Sequence, residues 1–465
     1  MPKKKTTAKR SSSSTETKLH QLDKRYLWHP FTQMRDWQQE PQIIIERGMG
    51  CSLVDTRGKR YLDGVSSLWV TVHGHRKKEI DAAVAAQLRK IAHSTLLGLS
   101  NVPAVLLAEK LVTIAPKGLS RVFYSDSGST AVEIALKMAF QYWQQKGPQY
   151  QRKTGFLSLT EAYHGDTLGA VSVGGIDLFH SIYKPLLFQT RKIESPYCYR
   201  CKYGLTWPMC QTTCLMHAER NIQKFASVSA ALIIEPIVQG AAGMLLQPPG
   251  FLKRIREICT RNNILMIADE VATGFGRTGT MFACDQEKVS PDLMAVAKGI
   301  TGGYLPLAAT LTTEDIYAGF LGEHKDLRTF FHGHTYTGNP LACAAAIANI
   351  DLFRKEKTLQ RLKPKITFLA KRLAELNKLA HVGEIRQKGF MVGIELVKNR
   401  IAKEPYLIEE KAGFRVVQEC RKRGLIIRPL GNVIVLMPPL SMSLQELGRM
   451  LEIVTAAIRT VTEKG

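Results

Sequence analysis

Four short apolar segments constrain the fold of this chain more than any other feature. They lie between residues 100 and 330, alternate with longer segments of helical periodicity, and read Val122–Ser125, Ala231–Glu235, Ile264–Asp269 and Leu293–Ala297. Apolar runs of this length between helices are typical of parallel strands that are buried on both faces and joined by crossover helices. The pattern therefore predicts an α/β fold with a mostly parallel sheet flanked by helices.

The segments on either side of residues 96–340 have a different pattern, which predicts a second, smaller domain. Residues 1–20 are basic and rich in Ser and Thr, and they lack apolar anchors, so we expect a disordered tail. Residues 21–95 contain short strand-like runs between Gly and Pro, and residues 341–465 combine a helix-rich segment with further strand-like runs. We therefore expect a large cofactor domain over 96–340 and a small α+β domain built from both flanking segments.

The composition of the chain limits the classes of partner that we expect the protein to bind. The formal net charge is +24, but no zinc-finger spacing, helix-turn-helix pattern or aromatic–basic interleaving accompanies it. We therefore expect a solvated basic surface and no specific nucleic acid; a basic scaffold or nucleic-acid-binding protein without catalysis is the alternative from another class. No apolar run reaches 18 residues, and the nine cysteines are an odd number. These features predict no membrane span and a cytoplasmic location.

Residues 127–129 join a predicted strand to a predicted helix in a way that suits a phosphate group. Apolar side chains recur at helical spacing from Val132 to Trp143, so Ser127, Gly128 and Ser129 open that helix. The free N–H groups and the dipole of a helix N-terminus favour an anion, and glycine lets the backbone approach it closely. An ordinary helix N-cap is the alternative.

Two charged residues follow buried runs at the edge where an open parallel sheet binds ligands. Asp269 ends one run, and Lys298 follows another and precedes Gly299. A buried carboxylate needs a cationic partner such as a pyridinium nitrogen, and a lysine whose pKa is lowered by burial can form a Schiff base with an aldehyde. A helix cap and a solvent-facing lysine are the alternatives for each residue alone. Together with the phosphate site, the two residues predict pyridoxal phosphate.

Two further motifs supply candidate contacts to such a cofactor. Tyr163, followed by His164, offers a ring that can stack on a pyridine. The sequence Gly333-His334-Thr335 offers N–H and hydroxyl donors for a phosphate. Packing in a core or at an interface is the alternative for these side chains.

Seven motifs between residue 21 and about residue 460 resemble those of class III, fold type I aminotransferases, and they stand in the same order. They are SDSGSTAVEIALKMA, EAYHGD, IIEPIVQGAAGM, ADEVATGFGRTG, AKGITGG, HGHTYTGNPLACAAA and IIRPLGNVIVLMPP. The resemblance implies the fold of a type I transferase dependent on pyridoxal 5'-phosphate, an amino-transfer reaction on small-molecule substrates, and a homodimer with shared active sites.

The resemblance also implies roles for individual residues around the cofactor. Lys298 would carry the cofactor as a Schiff base, and Asp269 would pair with its ring nitrogen. Gly128 and Ser129 would donate hydrogen bonds to its phosphate, and Tyr163 would stack on its ring.

Four more roles follow from the same resemblance. Thr335 would reach the phosphate in the other subunit of the homodimer, and Gly333 beside it would lie near the substrate. Arg428 would hold the carboxylate of a keto substrate, and Arg277 would lie near the substrate pocket.

The segment Trp28–Thr32, with the sequence WHPFT, resembles one subgroup of the family, whose members act in biotin biosynthesis and aminate 8-amino-7-oxononanoate. Members that use S-adenosylmethionine as the amino donor have Tyr where this chain has Phe31, and a Trp pair where it has Leu68 and Trp69. This chain, which lacks that hydroxyl and that ring, is more similar to members that take lysine. Both donors therefore stay open. Phe31 and Trp69 are candidate substrate contacts. A class III aminotransferase for another ω-amino acid is the near alternative.

Four cysteines lie close together in the segment SPYCYRCKYGLTWPMCQTTCLMHAER. Cys198, Cys201, Cys210 and Cys214 have the spacing C-x2-C-x8-C-x3-C. The first pair fits a tetrahedral zinc site and the second pair is less typical of one. Free or packed thiols are the favoured interpretation, so we assign no metal and keep zinc as the weaker candidate.

Overall fold

A computed structural model describes residues 8–463 of the chain. Within that range the strands are β1 (Ile45–Met49), β2 (Ser52–Asp55), β3 (Arg60–Asp63), β4 (Leu119–Ser125), β5 (Gly155–Leu159), β6 (Arg191–Ile193), β7 (Ser229–Ile234), β8 (Val238–Gln239), β9 (Leu245–Leu246), β10 (Leu265–Asp269), β11 (Leu293–Val296), β12 (Ala308–Thr313), β13 (Val382–Lys388), β14 (Met391–Asn399), β15 (Glu404–Pro405), β16 (Leu425–Ile426), β17 (Arg428–Leu430) and β18 (Val433–Leu436). The helices are α1 (Ala8–Tyr26), α2 (Met34–Gln39), α3 (Ser66–Trp69), α4 (Lys78–Leu88), α5 (Val102–Ile114), α6 (Gly128–Lys146), α7 (Leu168–Val173), α8 (Asp177–His180), α9 (Thr213–Phe225), α10 (Phe251–Arg261), α11 (Glu314–Ala318), α12 (Pro340–Lys355), α13 (Thr358–Leu376), α14 (Ala412–Lys422) and α15 (Leu444–Thr462).

The largest sheet has seven strands in the order β4-β12-β11-β10-β7-β5-β6. Strand β12 pairs antiparallel with both of its neighbours, and the other pairings in this sheet are parallel. Every residue of β7, β10 and β11 is buried, as expected for parallel strands covered by helices on both faces. The predicted α/β fold with a mostly parallel sheet is confirmed.

Polar side chains explain where two long helices of this region begin. Ser127 accepts a hydrogen bond from the N–H of Thr130 at 3.3 Å, and the Thr130 hydroxyl accepts one from the N–H of Ser127 at 3.0 Å. Asn339 accepts from the N–H groups of Leu341 and Ala342, both at 3.1 Å. These contacts satisfy N–H groups that have no acceptor within their own helix, so α6 and α12 start at the predicted loop–helix junctions.

Two smaller sheets bring the ends of the chain together. One has the order β1-β2-β3-β16, in which β16 from the C-terminal part runs parallel to β3 from the N-terminal part. The other contains β13-β14-β18-β17, with β15 paired to β14. The first sheet therefore makes one unit of segments far apart in sequence. The exact domain boundaries predicted above stay a prediction.

The N-terminal segment differs in part from the predicted disordered tail. Residues 8–20 belong to α1, whereas residues 1–7 lie outside the described range. Glu16 on this helix forms an ion pair with Arg57, which gives the segment a contact with the folded chain. Among the described residues, no helix is both long enough and apolar enough to cross a bilayer.

The hairpin between β13 and β14 packs against the loop that carries Arg277. Gly389 in its turn has a φ of 61°, and a Cβ placed there would lie 2.4 Å from the carbonyl oxygen of Arg277. That oxygen also accepts a hydrogen bond from the N–H of Phe390 at 2.8 Å. Gly431, in the turn between β17 and β18, has a similar φ of 55°, but a Cβ there would meet no atom within 4 Å.

These two glycines provide a matched test of the packing. We expect Gly431→Ala to lower the free energy of unfolding only by the strain of a left-handed alanine, about 1–2 kcal/mol. Gly389→Ala adds a steric clash with backbone atoms and should cost about 3 kcal/mol or more. Thermal unfolding of the two variants beside the wild-type protein measures the difference. Equal melting temperatures for the two variants would show that the hairpin is not held against the Arg277 loop.

Candidate active site

One cavity of about 480 Å³ lies at the carboxyl edge of the large sheet. Asp269 ends β10, Lys298 follows β11, and the pairing of Asp269 with Ala295 places the ends of these strands side by side. Eight residues predicted from the sequence line the cavity: Phe31, Trp69, Gly128, Ser129, Tyr163, Asp269, Lys298 and Arg428. The structure therefore brings most of the predicted site together.

Lys298 reaches into this cavity from a strained backbone position with a φ of 45°. Burial lowers the pKa of its amine, while the nearby carboxylates of Asp269 and Glu235 act in the opposite direction. Its Nζ atom lies 4.8 Å from the ring centroid of Trp69. A lowered pKa increases the fraction of neutral amine at neutral pH, and the neutral form is the one that acts as a nucleophile or base.

Asp269 is held in place by a histidine. The residue is buried, and its Oδ2 atom lies 2.7 Å from Nδ1 of His164. Its Oδ1 atom accepts a hydrogen bond from the N–H of Val271 at 3.0 Å. The Nε2 atom of His164 is buried and has no partner among the described residues. His164 therefore orients this carboxylate toward the cavity, a role that the sequence left among several alternatives.

Glu270, the second acid at the end of β10, lies outside the cavity wall. It is fully buried and accepts hydrogen bonds from the hydroxyl of Thr273 at 2.6 Å and from the N–H of Cys284 at 2.8 Å. Burial raises the pKa of its carboxyl to about 7. Adjacent residues at a strand end point to opposite sides, so Asp269 faces the site while Glu270 supports the loop that follows.

The N-terminus of α6 forms one wall of the cavity. A Cβ at Gly128 would lie 2.6 Å from Cγ1 of Val271, and a Cβ at Gly165 would lie 2.1 Å from Oγ of Ser129. The hydroxyl of Ser129 accepts a hydrogen bond from the N–H of Asp166 at 3.1 Å. The backbones therefore approach more closely than side chains would allow, which leaves the first N–H groups of the helix directed at the cavity.

Tyr163 is fixed on the cavity wall at both ends. Its N–H donates to Oε2 of Glu235 at 3.1 Å, and its hydroxyl donates to Oδ2 of Asp166 at 2.8 Å. Burial, followed by the neighbouring carboxylate, raises the pKa of the hydroxyl. The tyrosine is therefore neutral at physiological pH, and its position is fixed by the protein.

Arg428 reaches the cavity from β17, beyond the large sheet. Its guanidinium carbon lies 5.6 Å from the ring centroid of Phe31, and burial lowers its pKa. Among the described residues, no carboxylate lies within ion-pair distance of this arginine. An arginine that faces a cavity without an acidic partner is available to a carboxylate ligand.

Three predicted residues lie away from this cavity. Arg277 does not line it: the side chain is buried and donates to the carbonyl oxygens of Thr71 and Pro438, both at 2.8 Å. Two buried carbonyl groups therefore hold its guanidinium, and its position near the substrate pocket stays a prediction. Gly333 and Thr335 are exposed and do not line the cavity of their own chain.

Glu235 is a cavity residue that sequence reasoning did not select. It follows β7 at the same edge of the sheet, and its two oxygens accept from the N–H groups of Tyr163 and Gly240, at 3.1 and 2.9 Å. Burial raises the pKa of its carboxyl to about 7. The signal was present in the sequence, since Glu235 ends an apolar run in the same way as Asp269.

The fold and this site define a class of protein. Residues 33–458 match the family described as Aminotransferase class-III, and the chain belongs to that family. Class III aminotransferases use pyridoxal phosphate. The residues of the cavity fit this cofactor, because a glycine-lined helix N-terminus suits its phosphate, the buried Asp269 suits its ring nitrogen, and the amine of Lys298 suits its aldehyde.

The relatives of the chain include enzymes with one shared name. The adenosylmethionine-8-amino-7-oxononanoate aminotransferase of Nitratidesulfovibrio vulgaris is 56% identical over 98% of this chain and 84% of its own length. The crystal structure of the enzyme of that name from Methanocaldococcus jannaschii has a TM-score of 0.92 at 47% identity, covering 96% of this chain and 99% of that one. A PLP-bound amine transaminase from an uncultivated Pseudomonas species has a TM-score of 0.89 at 38% identity, covering 94% and 99%.

Proposed function

We propose that this chain transfers an amino group to the ketone of 8-amino-7-oxononanoate and so produces 7,8-diaminononanoate, a step of biotin biosynthesis. The observation that carries the proposal is that Lys298, Asp269 and the unpartnered Arg428 line one cavity. The names of relatives at about half identity over almost the whole chain support the choice of substrate. The substrate has a carboxylate at one end and a ketone near the other, which matches an arginine and a lysine that line one cavity.

Each residue has a distinct part in this reaction. When bound, pyridoxal phosphate supplies an electron-withdrawing ring that stabilises negative charge on the carbon bearing the amino group. The Nζ atom of Lys298 would take the proton from that carbon and deliver it to the cofactor carbon that was the aldehyde, for which a lowered pKa suits its amine. Asp269, oriented by His164, keeps the ring nitrogen protonated. Gly128 and Ser129 bind the phosphate at the N-terminus of α6.

The substrate and the cofactor ring are positioned by three further groups. Arg428 binds the carboxylate of the keto acid. Tyr163 packs beside the cofactor ring from a position fixed by Glu235 and Asp166. Phe31 and Trp69 line the cavity and contact the amino donor.

We also propose a homodimer in which each chain completes the site of the other. Thr335 and Gly333 are exposed, and neither lines the cavity of its own chain. Large apolar side chains are exposed near these residues in sequence and at the start of α5, including Phe331 at 74% and Val102 at 72%. Such side chains are typical of a surface covered by another chain. Sedimentation of the holoenzyme would detect a dimer, and a monomer would exclude this arrangement.

Replacing Lys298 tests the centre of the proposal. We expect Lys298→Ala to keep the fold and to lower turnover by a factor of at least about 10³, because the proton-transferring amine is lost. The variant should also lose the visible absorption band of the lysine-bound cofactor. Turnover within about tenfold of wild type, or about 1.4 kcal/mol in the barrier, would remove Lys298 from the mechanism.

Lys192 provides the control for that experiment. It is another partly buried lysine whose pKa is lowered to about 8 by burial, and its amine donates to Oγ of Ser158 at 2.8 Å, outside the cavity. Lys192→Met should lower the stability of the fold but keep the absorption band and turnover within about threefold. Loss of the band in both variants would assign the effect of Lys298→Ala to folding.

Replacing Arg428 separates the two halves of the reaction. We expect Arg428→Ala to raise KM for the keto acid by about 10- to 100-fold, because a charge-assisted contact to its carboxylate is lost. The donor half-reaction should change by less than about threefold. Arg121→Ala is the control, since Arg121 is exposed and pairs with Glu314. Equal damage to both half-reactions would indicate a structural arginine.

The amino donor has two candidates with different support. The relatives' names favour S-adenosylmethionine. The cavity wall favours lysine, because Phe31 lacks a hydroxyl and Leu68 replaces a ring that would stack on the adenosyl group, a contact worth about 1 kcal/mol. Both side chains are about half exposed, so they are open to the incoming donor.

A single-turnover experiment decides between the donors and tests the function. Each donor is mixed with the holoenzyme, and the loss of the bound-cofactor band is followed, before 8-amino-7-oxononanoate is added to restore it. Rapid loss with adenosylmethionine alone would exclude lysine, and the reverse would exclude adenosylmethionine. The double variant Phe31→Tyr, Leu68→Trp should shift the rate ratio toward adenosylmethionine by about tenfold. No restoration of the band by 8-amino-7-oxononanoate after either donor would overturn the proposed acceptor.

A further inference from the structure

The segment 194–212, between β6 and α9, lacks an obvious source of stability. It contains no helix or strand, and connections of this length without secondary structure are uncommon in compact domains. Its larger apolar side chains do not anchor it in the core, since Met209 is 80% exposed and Leu205 is 41% exposed. The first half of the segment is nevertheless well attached: Arg200 donates to Glu395 of β14 at 2.8 Å, and Lys403 donates to the carbonyl oxygen of Tyr199 at 2.7 Å.

Four of the nine cysteines of the chain lie together in or beside this segment. Cys198, Cys201, Cys210 and Cys214 are all half-buried, none forms a disulfide, and all four line one cavity of about 20 Å³. The other five cysteines are buried singly elsewhere. The clustering therefore belongs to this segment and not to the chain in general.

The backbone presents these thiols as two pairs. Cys198 and Cys201 have two residues between them, and Cys201 opens a turn in which the N–H of Gly204 donates to the carbonyl oxygen of Cys201, at 3.0 Å. Cys210 closes the turn before α9, and Cys214 lies in the first turn of that helix. Two closely spaced pairs of cysteines that line one cavity are typical of structural zinc sites.

We propose that Cys198, Cys201, Cys210 and Cys214 bind one Zn²⁺ ion as four thiolates, in a structural site separate from the active site. Each thiol loses its proton to solvent, so the zinc and its ligands carry a net charge of about −2. As they stand, the His, Cys, Asp and Glu side chains of the described residues form no group of three or more that would hold a metal. Binding therefore requires the thiols to turn toward one another, and rotation about χ1 is the smallest change that moves them.

The size of the cavity favours a single ion. A space of about 20 Å³ accommodates about one water-sized particle and is too small for an iron–sulfur cluster. Four sulfur ligands favour zinc over magnesium or calcium, which prefer oxygen. The ion would connect two parts of the structure. Cys198 and Cys201 lie beside the contacts to β14. Cys214 lies on α9, whose buried residues are Ala218 and Ile222. The site would thus join a smaller sheet to the large one.

Elemental analysis of the wild-type holoenzyme tests the proposal directly. The protein should be purified without metal-affinity chromatography from cells grown with added zinc. We expect about one zinc per chain, with iron below about 0.1 per chain. Under denaturing conditions with a chelator, all nine cysteines should react as free thiols. Zinc below about 0.1 per chain, stoichiometric iron with sulfide, or the loss of four reactive thiols to disulfides would each overturn the zinc site.

Variants locate the ion within the protein. We expect Cys198→Ser and Cys210→Ser each to lower the zinc content at least about tenfold and to lower the melting temperature, while the absorption band of the cofactor remains. Met209→Ser, at an exposed position of the same segment, should keep both zinc and stability. Zinc retained by both cysteine variants would overturn the assignment. The wild-type metal content decides the question even if a variant does not fold, and it is independent of the proposed substrate.

Discussion

The organisation of this protein depends on the burial of its central sheet on both faces. A charged group buried without a partner costs several kcal/mol, so β7, β10 and β11 can carry charge only where they end. Each of these strands is apolar along its length and is followed or closed by a charged residue at the carboxyl edge: Glu235, Asp269 and Lys298. One constraint on packing therefore concentrates the reactive groups at one edge of the fold.

Burial in the site then shifts the pKa values of two of those groups. Protein around Lys298 lowers the pKa of its amine, and the same environment raises the pKa of Glu235 to about 7. Asp269 is buried in the same place but has the His164 ring at 2.7 Å. The left-handed backbone at Lys298 adds strain, which is common where function and stability compete.

The ends of the chain complete the cavity. Phe31 and Trp69 come from the N-terminal part, and Arg428 comes from the C-terminal part. Their proximity follows from the parallel pairing of β16 with β3, which places strands from both ends in one sheet. Arg277 supports the same region from beneath, because its guanidinium holds the carbonyl groups of Thr71 and Pro438. The substrate end of the site is therefore a product of long-range assembly, whereas the cofactor end belongs to one continuous sheet.

The sequence by itself determined the features that rest on local pattern. Apolar runs predicted the parallel sheet, and the residues at their ends, together with the 127–129 junction, predicted where a cofactor would bind, because burial rules and helix termini act over a few residues. Tertiary structure decided the rest. Asp269 and Glu270 are adjacent, yet only Asp269 faces the cavity, since the strand turns alternate side chains to opposite sides. Arg277 and Arg428 are both candidates in sequence. In the structure, Arg277 donates hydrogen bonds to two carbonyl groups, whereas Arg428 pairs with no carboxylate among the described residues. Such differences depend on which distant segments pack together, and no local pattern records them.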